Sequence, residues 1–170
     1  MMAVNKSPLS SVGGFAVNET TVVNNLRDAY NLNTLEIQNS NFSESSKKSY
    51  ILKGISSTTL TLDGASATVP LANNTINFVT TRIVGVNPTG SGHYSTKIES
   101  VISCSSIGVI SLLSSLETII KDSIPSGQTW TAVVNTSAAA NRYEIVTTRT
   151  GTTDAIRWFA HVDVVKVVWT

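Results

Sequence analysis

Charge is scarce in this sequence: Asp, Glu, Lys and Arg together make up 14% of 170 residues, against about 25% in ordinary globular proteins. Few Lys and Glu means few strong helix formers, which tells against a helical protein. The charges that exist are interspersed and sum to +1. The basic patch that nucleic-acid binding requires is missing; the one adjacent basic pair, Lys47-Lys48, reads as a solvated turn. A single cysteine, Cys104, excludes an intrachain disulfide framework, and its apolar strand surroundings predict a buried, inert thiol. With two histidines and no Cys or His partner at ligand spacing, a zinc site is not expected. No apolar run approaches the ~18 residues of a membrane helix. The opening Met-Met-Ala-Val-Asn-Lys-Ser-Pro has no apolar segment of the secretory type. The sequons at Asn5, Asn18, Asn41, Asn73 and Asn135 are therefore expected to stay unmodified.

Ser and Thr take the place of the missing charge, at roughly a quarter of the chain. Thr with Val suits a pleated, half-buried surface, and Ser with Asn suits turns. Hydrophobic residues reach 41%, enough for one substantial core. The expectation is an all-β chain: an antiparallel β-sandwich, jelly-roll-like, preceded by an extended arm. The division falls near residue 50, with the arm at 1–49 and the sandwich at 50–170. In the arm, scattered apolar residues have no period that could close a core. Short extended pieces are expected at Phe15–Val17, Thr21–Val23 and Asn33–Ile37.

From Tyr50 onward the period is two. Thr58–Leu62 and Thr68–Leu71 flank Asp63-Gly64, a hairpin or short-loop signal. Residues 74–86 make a long run that ends in the turn cluster Asn87-Pro88-Thr89-Gly90. Tyr94, Ile98 and Ile102 share one face. Residues 111–122 are ambiguous: Leu113, Leu116, Ile119 and Ile120 fit helical spacing behind a Ser114-x-x-Glu117 capping box, while Thr118-Ile119-Ile120 is good strand material. Strands joined by a turn fit the β neighbours better. Trp130, Ala132 and Val134 share a face, as do Ile156, Trp158, Ala160, Val162 and Val164 in the last strand. Trp130 and Trp158 are expected in the core, with Tyr94 and Tyr143 at its rim. Phe159 and Trp169 lie opposite Trp158, on a face that would be wet in a lone sandwich, and so are candidates for a contact between subunits.

Catalytic patterns are missing as well. There is no nucleophile elbow, P-loop or dinucleotide fingerprint. Gly90-Ser91-Gly92-His93 sets a serine near a histidine, but in a surface turn. His161 and Asp163 share a strand face without a third partner. No catalytic, metal or cofactor-binding residue is assigned, and no enzyme is expected.

Thr153-Asp154-Ala155-Ile156-Arg157-Trp158-Phe159-Ala160-His161-Val162 resembles the closing Thr-Ile-Arg-Trp-x-Ala-x-Val strand of many bacteriophage virion proteins, among them tail-fibre and capsid-surface modules. The layout before it is also similar, through Ile83-Val84-Gly85, Tyr94–Ile102, Ile119-Ile120-x-Asp122, Trp130-x-Val-Val and Tyr143–Thr148, so the resemblance covers about residues 76–168. Where the family strand commonly continues to Glu, this chain has Lys166. The resemblance implies a β-sandwich building block that oligomerises on a particle or fibre. The expected role is a capsid cement or decoration protein of the virion surface, assembled in the host cytoplasm. Its partners would be the major capsid protein and neighbouring copies of itself, with no nucleic acid and no membrane. Docking would run through Phe15, Val17, Val22, Val23, Leu26, Leu35 and Ile37 of the arm by strand addition. The alternative is a short tail or neck fibre with a glycan-binding sandwich head. A polysaccharide hydrolase is a third possibility, disfavoured by the missing constellation.

Overall fold

The computed structural model describes residues 15–17, 20–23, 34–135 and 141–169. The chain divides into two units, residues 1–33 and 34–170. In the first, β1 (Phe15–Val17) and β2 (Thr20–Val23) pair antiparallel, with Phe15 against Val23.

The second unit is all-β and antiparallel. Its larger sheet has the order β3 (Thr34–Ile37), β4 (Ser45–Ile55), β12 (Arg157–Val168), β7 (Thr75–Val86), β8 (His93–Cys104), β9 (Ile110–Ser123). The smaller sheet pairs β10 (Thr129–Asn135) with β11 (Arg142–Thr150), whose other edge carries β5 (Thr58–Thr59) and β6 (Val69–Pro70). β7, β8 and β9 are consecutive neighbours, and β12 returns to lie beside β7 after passing through β10 and β11. That is the Greek-key order on which jelly rolls are built.

Period-two alternation decides which residues enter the core. Every second residue of β7 and β8, and of β12 as far as Val164, is buried, including Val79, Ile83, Ile98, Ile102, Ala160 and Val162. The smaller sheet meets them with Trp130, Ala132, Tyr143 and Ile145. Two contacts fasten the layers together. The Trp130 and Trp158 rings pack edge to face with centroids 6.3 Å apart, and the Tyr143 hydroxyl lies 2.8 Å from Thr81 Oγ1. Tyr94 and Tyr143 are 4% and 0% exposed, so they belong to the core itself and not to its rim. Cys104 is buried, and burial pushes its thiol up.

Burial also pushes the Tyr143 phenol up, to about 12. An unfolded tyrosine ionises near pH 10, so above that pH the fold retains a proton the unfolded chain has released. The stabilisation is complete below about pH 10 and is lost as pH rises towards 12, by roughly 2–3 kcal/mol from this group. Urea unfolding at pH 9, 11 and 12 should show the fall, and Tyr143→Phe should remove that group's part of it. An unchanged slope in the variant would refute this assignment.

The strand pairing bears on three of these readings. Of the two readings of Asp63-Gly64 the short loop holds, with the Leu62 N–H donating to the Ala67 carbonyl; the flanking strands do not form a hairpin but sit end to end on β11, with Thr59 opposite Val146 and Val69 opposite Tyr143. The Asp63 carboxylate holds the intervening loop by accepting the N–H groups of Ala65, Ser66 and Ala67. Residues 111–122 are not two strands joined by a turn but lie within β9, a single strand of 14 residues. Its register with β8 slips twice, leaving Leu113 and Ile120 as the extra residues of two bulges. These inserted residues create the helix-like spacing seen in the sequence. Finally, the boundary at residue 50 falls inside β4, and β3 joins the same sheet. Ser and Lys at 45–48 hide the strand, because Lys stems can cover apolar surface while their charges stay wet.

Candidate functional site

The smaller sheet covers one face of the six-stranded sheet, and no described element of the same unit covers the other. Alternation directs the odd-numbered residues of β4, β12 and β8 and the even-numbered residues of β7 onto this outer face. The register places them in rows. One end of the face carries Ile76, Phe78, Val165 and Val167; the other carries Ile55, Val84 and Phe159. Half of the large apolar side chains exposed among the described residues lie on this sheet face, with Phe78 45% and Phe159 50% exposed. Exposed apolar clusters rimmed by polar residues are the kind of surface through which soluble proteins make contacts.

A charged band crosses the middle. Asp163 accepts a 2.5 Å hydrogen bond from Ser49 Oγ. It is flanked by Arg82 at 3.4 Å, Lys47 at 3.5 Å and His161 at 3.9 Å. Burial works to raise the Asp163 carboxyl, but the Ser49 hydrogen bond and the nearby His161 and Lys47 outweigh it and hold the group below its ordinary range. Next in the sheet, Lys97 and Glu99 pair at 2.9 Å. Lys47, Lys53, Arg82, Lys97 and Arg157 against Glu99 and Asp163 leave the face at net +3. Residues 34–170 as a whole carry +1, so the rest of that unit is net −2.

The residues named from the sequence are distributed as follows. Phe159 lies on the outer face, and Trp169 follows β12 with 41% exposure, its N–H donating to the Asn74 carbonyl. Leu35 and Ile37 are in β3, opposite Ser49 and Lys47, and extend the outer face by one strand. Phe15, Val17, Val22 and Val23 fall on β1 and β2, in the other unit, and Leu26 lies outside the described residues. Phe78, Ile76, Val84, Val165 and Val167 were not singled out from sequence. Their signal was there: in β7 and β12 apolar residues occupy both parities, the mark of a strand covered on both faces.

A depression of about 460 Å³ lies between β9 and β10. Ile119, Ile124, Pro125 and Trp130 line it, with the carboxylates of Glu117 and Asp122. Glu117 Oε1 accepts from the Tyr94 and Thr96 hydroxyls at 2.9 and 3.0 Å. Burial and then this carboxylate push the Tyr94 phenol up to about 12. The other reactive candidates are tied down. Ser91 Oγ is 2.7 Å from Thr89 Oγ1 within its turn, and His93 is set into the sheet opposite Val86 and Ser123. Among the described residues no three of His, Cys, Asp and Glu gather in a group able to hold a metal.

No protein-family model matches the chain, and no curated protein matches it. Among solved structures it is similar to the tailspike protein gp49 of Acinetobacter baumannii bacteriophage Fri1, a capsular polysaccharide depolymerase. The TM-score is 0.43 at 11% identity, over 81% of this chain and 21% of that one. It is also similar to the tailspike protein of Acinetobacter baumannii phage AM24, with a TM-score of 0.31 at 10% identity, over 70% of this chain and 26% of that one. The chain thus spans about a fifth to a quarter of the length of these proteins.

Proposed function

We propose that this chain is a non-enzymatic structural module of a bacteriophage virion, a building block of the tail or fibre type that assembles through the outer face of its six-stranded sheet. The observation that carries the reading is that face: a broad apolar surface, crossed by an ordered ion network, on the wet side of a sandwich whose core is already complete. The strand that supplies the phage-module resemblance, Arg157-Trp158-x-Ala, lies near the middle of the same sheet. The cement role is kept as the second reading; of its seven expected docking residues, Leu35 and Ile37 pair within the sheet. The non-enzymatic part rests on the engagement of the candidate groups: Asp163 in its ion network, Ser91 in its turn and Cys104 in the core.

Quantitative mass spectrometry of purified virions tests the reading. A dozen or fewer copies per particle is the expected result. Hundreds of copies would select the capsid-decoration role, and absence from purified particles would overturn the virion assignment altogether.

A further inference from the structure

Among the described residues of its unit nothing covers the outer face, and β9 pairs on one side only, with β8. β9 is the terminal strand of the six-stranded sheet. Its residues 111–122 are all exposed, with Leu116 at 61% and Ile120 at 66%. Natural sheets seldom leave a long apolar edge bare, since it invites association. The two bulges spoil continuous backbone pairing along this edge, so side-chain packing is the mode of contact open to it.

Charge selects the partner. The ridge formed by β9 carries Glu117, Lys121 and Asp122, a net −1, and it adjoins a groove whose charged lining residues are Glu117 and Asp122. The outer face is apolar at net +3. A face-to-face pair would bring two net-positive surfaces together, and an edge-to-edge pair would join two net-negative ridges; like charges across an interface are costly. Edge on face joins opposite signs and covers apolar surface on both sides.

We propose that the occupant of the outer face is the β9 edge of a second copy of this chain. With the edge laid on that face, Leu116 on one side of β9 lies across Phe78 and Val165, while Glu117 and Asp122, on the other side of the strand, face Arg82 and Lys47. The contact is heterologous, so each copy offers both surfaces and the assembly closes into a ring if the rotation permits. This deepens the structural-module reading and rests on it.

Engineered cysteines test the arrangement, because the native Cys104 is buried. Phe78→Cys, Leu116→Cys and the double variant are purified as full chains, checked for an unchanged melting temperature, and oxidised. Within one chain β7 and β9 are separated by β8, or about 10 Å, too far for an internal bridge. The expected result is covalent dimers and larger species from the double variant, with neither single variant cross-linking. Cross-linking of Phe78→Cys alone would mean face-to-face packing, and of Leu116→Cys alone edge-to-edge packing. Either result, or a chain that stays monomeric at every concentration, overturns the proposal. The virion reading survives each of these, since it is decided by the presence of the chain in purified particles.

Discussion

Truncating Trp158 to alanine is expected to remove about 3–5 kcal/mol of stability, much of what a domain of this size possesses. The indole is 2% exposed and sits where the two sheets meet. It packs edge to face against Tyr94 at 6.2 Å and Trp130 at 6.3 Å, and its Nε1–H donates to the Ser56 carbonyl at 2.9 Å. Alanine leaves a cavity, two rings without their partner, and a carbonyl that must find another donor. The seat of the ring is specific on the far side too. A Cβ at Gly85 would lie 2.5 Å from the indole Cζ3, so only glycine allows β7 to pass this close. Gly85→Ala alone should cost about 1–3 kcal/mol through overpacking. Combined with Trp158→Ala it should cost much less, because the clashing ring is gone. Urea unfolding followed by circular dichroism measures all three variants. Strictly additive losses would refute this account of the contact between Gly85 and the ring.

That core was legible in the sequence because burial enforces period two wherever one face of a strand is covered. Ile156, Trp158, Ala160, Val162 and Val164 could be assigned to the inside from parity alone, and the structure buries all five. Parity gives no partner, however. Thr58–Leu62 and Thr68–Leu71 read equally as the arms of a hairpin or as strands parted by a short loop; the structure takes the loop, and both pair with β11, because pairing across the sheet prevailed over the local turn. In β9 the two extra residues, Leu113 and Ile120, broke the period and imitated a helix. β3 was read as an extended piece at Asn33–Ile37, but its place in the sheet was not; the start of β4 was hidden by its polarity, with Lys48 pairing to Glu36 of β3 at 3.1 Å.

Of the outer face only Phe159, and Leu35 and Ile37 as part of the expected arm, were singled out from the sequence, for a related reason. A side chain awaiting a partner is apolar like one already buried, so Val165 and Val167 merge with Val162 and Val164 into one run. The sequence shows that β12 is apolar on both sides; only the sheet order shows that one side has no protein of its own unit over it.

Phe78→Asp separates these two kinds of apolar residue. Phe78 is exposed on the outer face, opposite Val165 on one strand and Val101 on the other. Placing a carboxylate there removes no core contact, and the monomer's stability should change by no more than about 0.5 kcal/mol. Association should respond differently. An aromatic anchor at the centre of an interface contributes about 2 kcal/mol or more, so the self-association constant should fall at least about 30-fold, and further because the new charge faces the carboxylates of β9. Ile107→Asp is the control: Ile107 is 78% exposed in the loop between β8 and β9, away from the outer face. Sedimentation velocity over a concentration series reads association, and thermal unfolding at low concentration reads the monomer. If Ile107→Asp weakened association as much as Phe78→Asp, general loss of hydrophobicity would be the cause and the face would have no special part. If Phe78→Asp instead unfolded the monomer, Phe78 would be part of the core and the division between covered and awaiting sides of the sheet would be wrong.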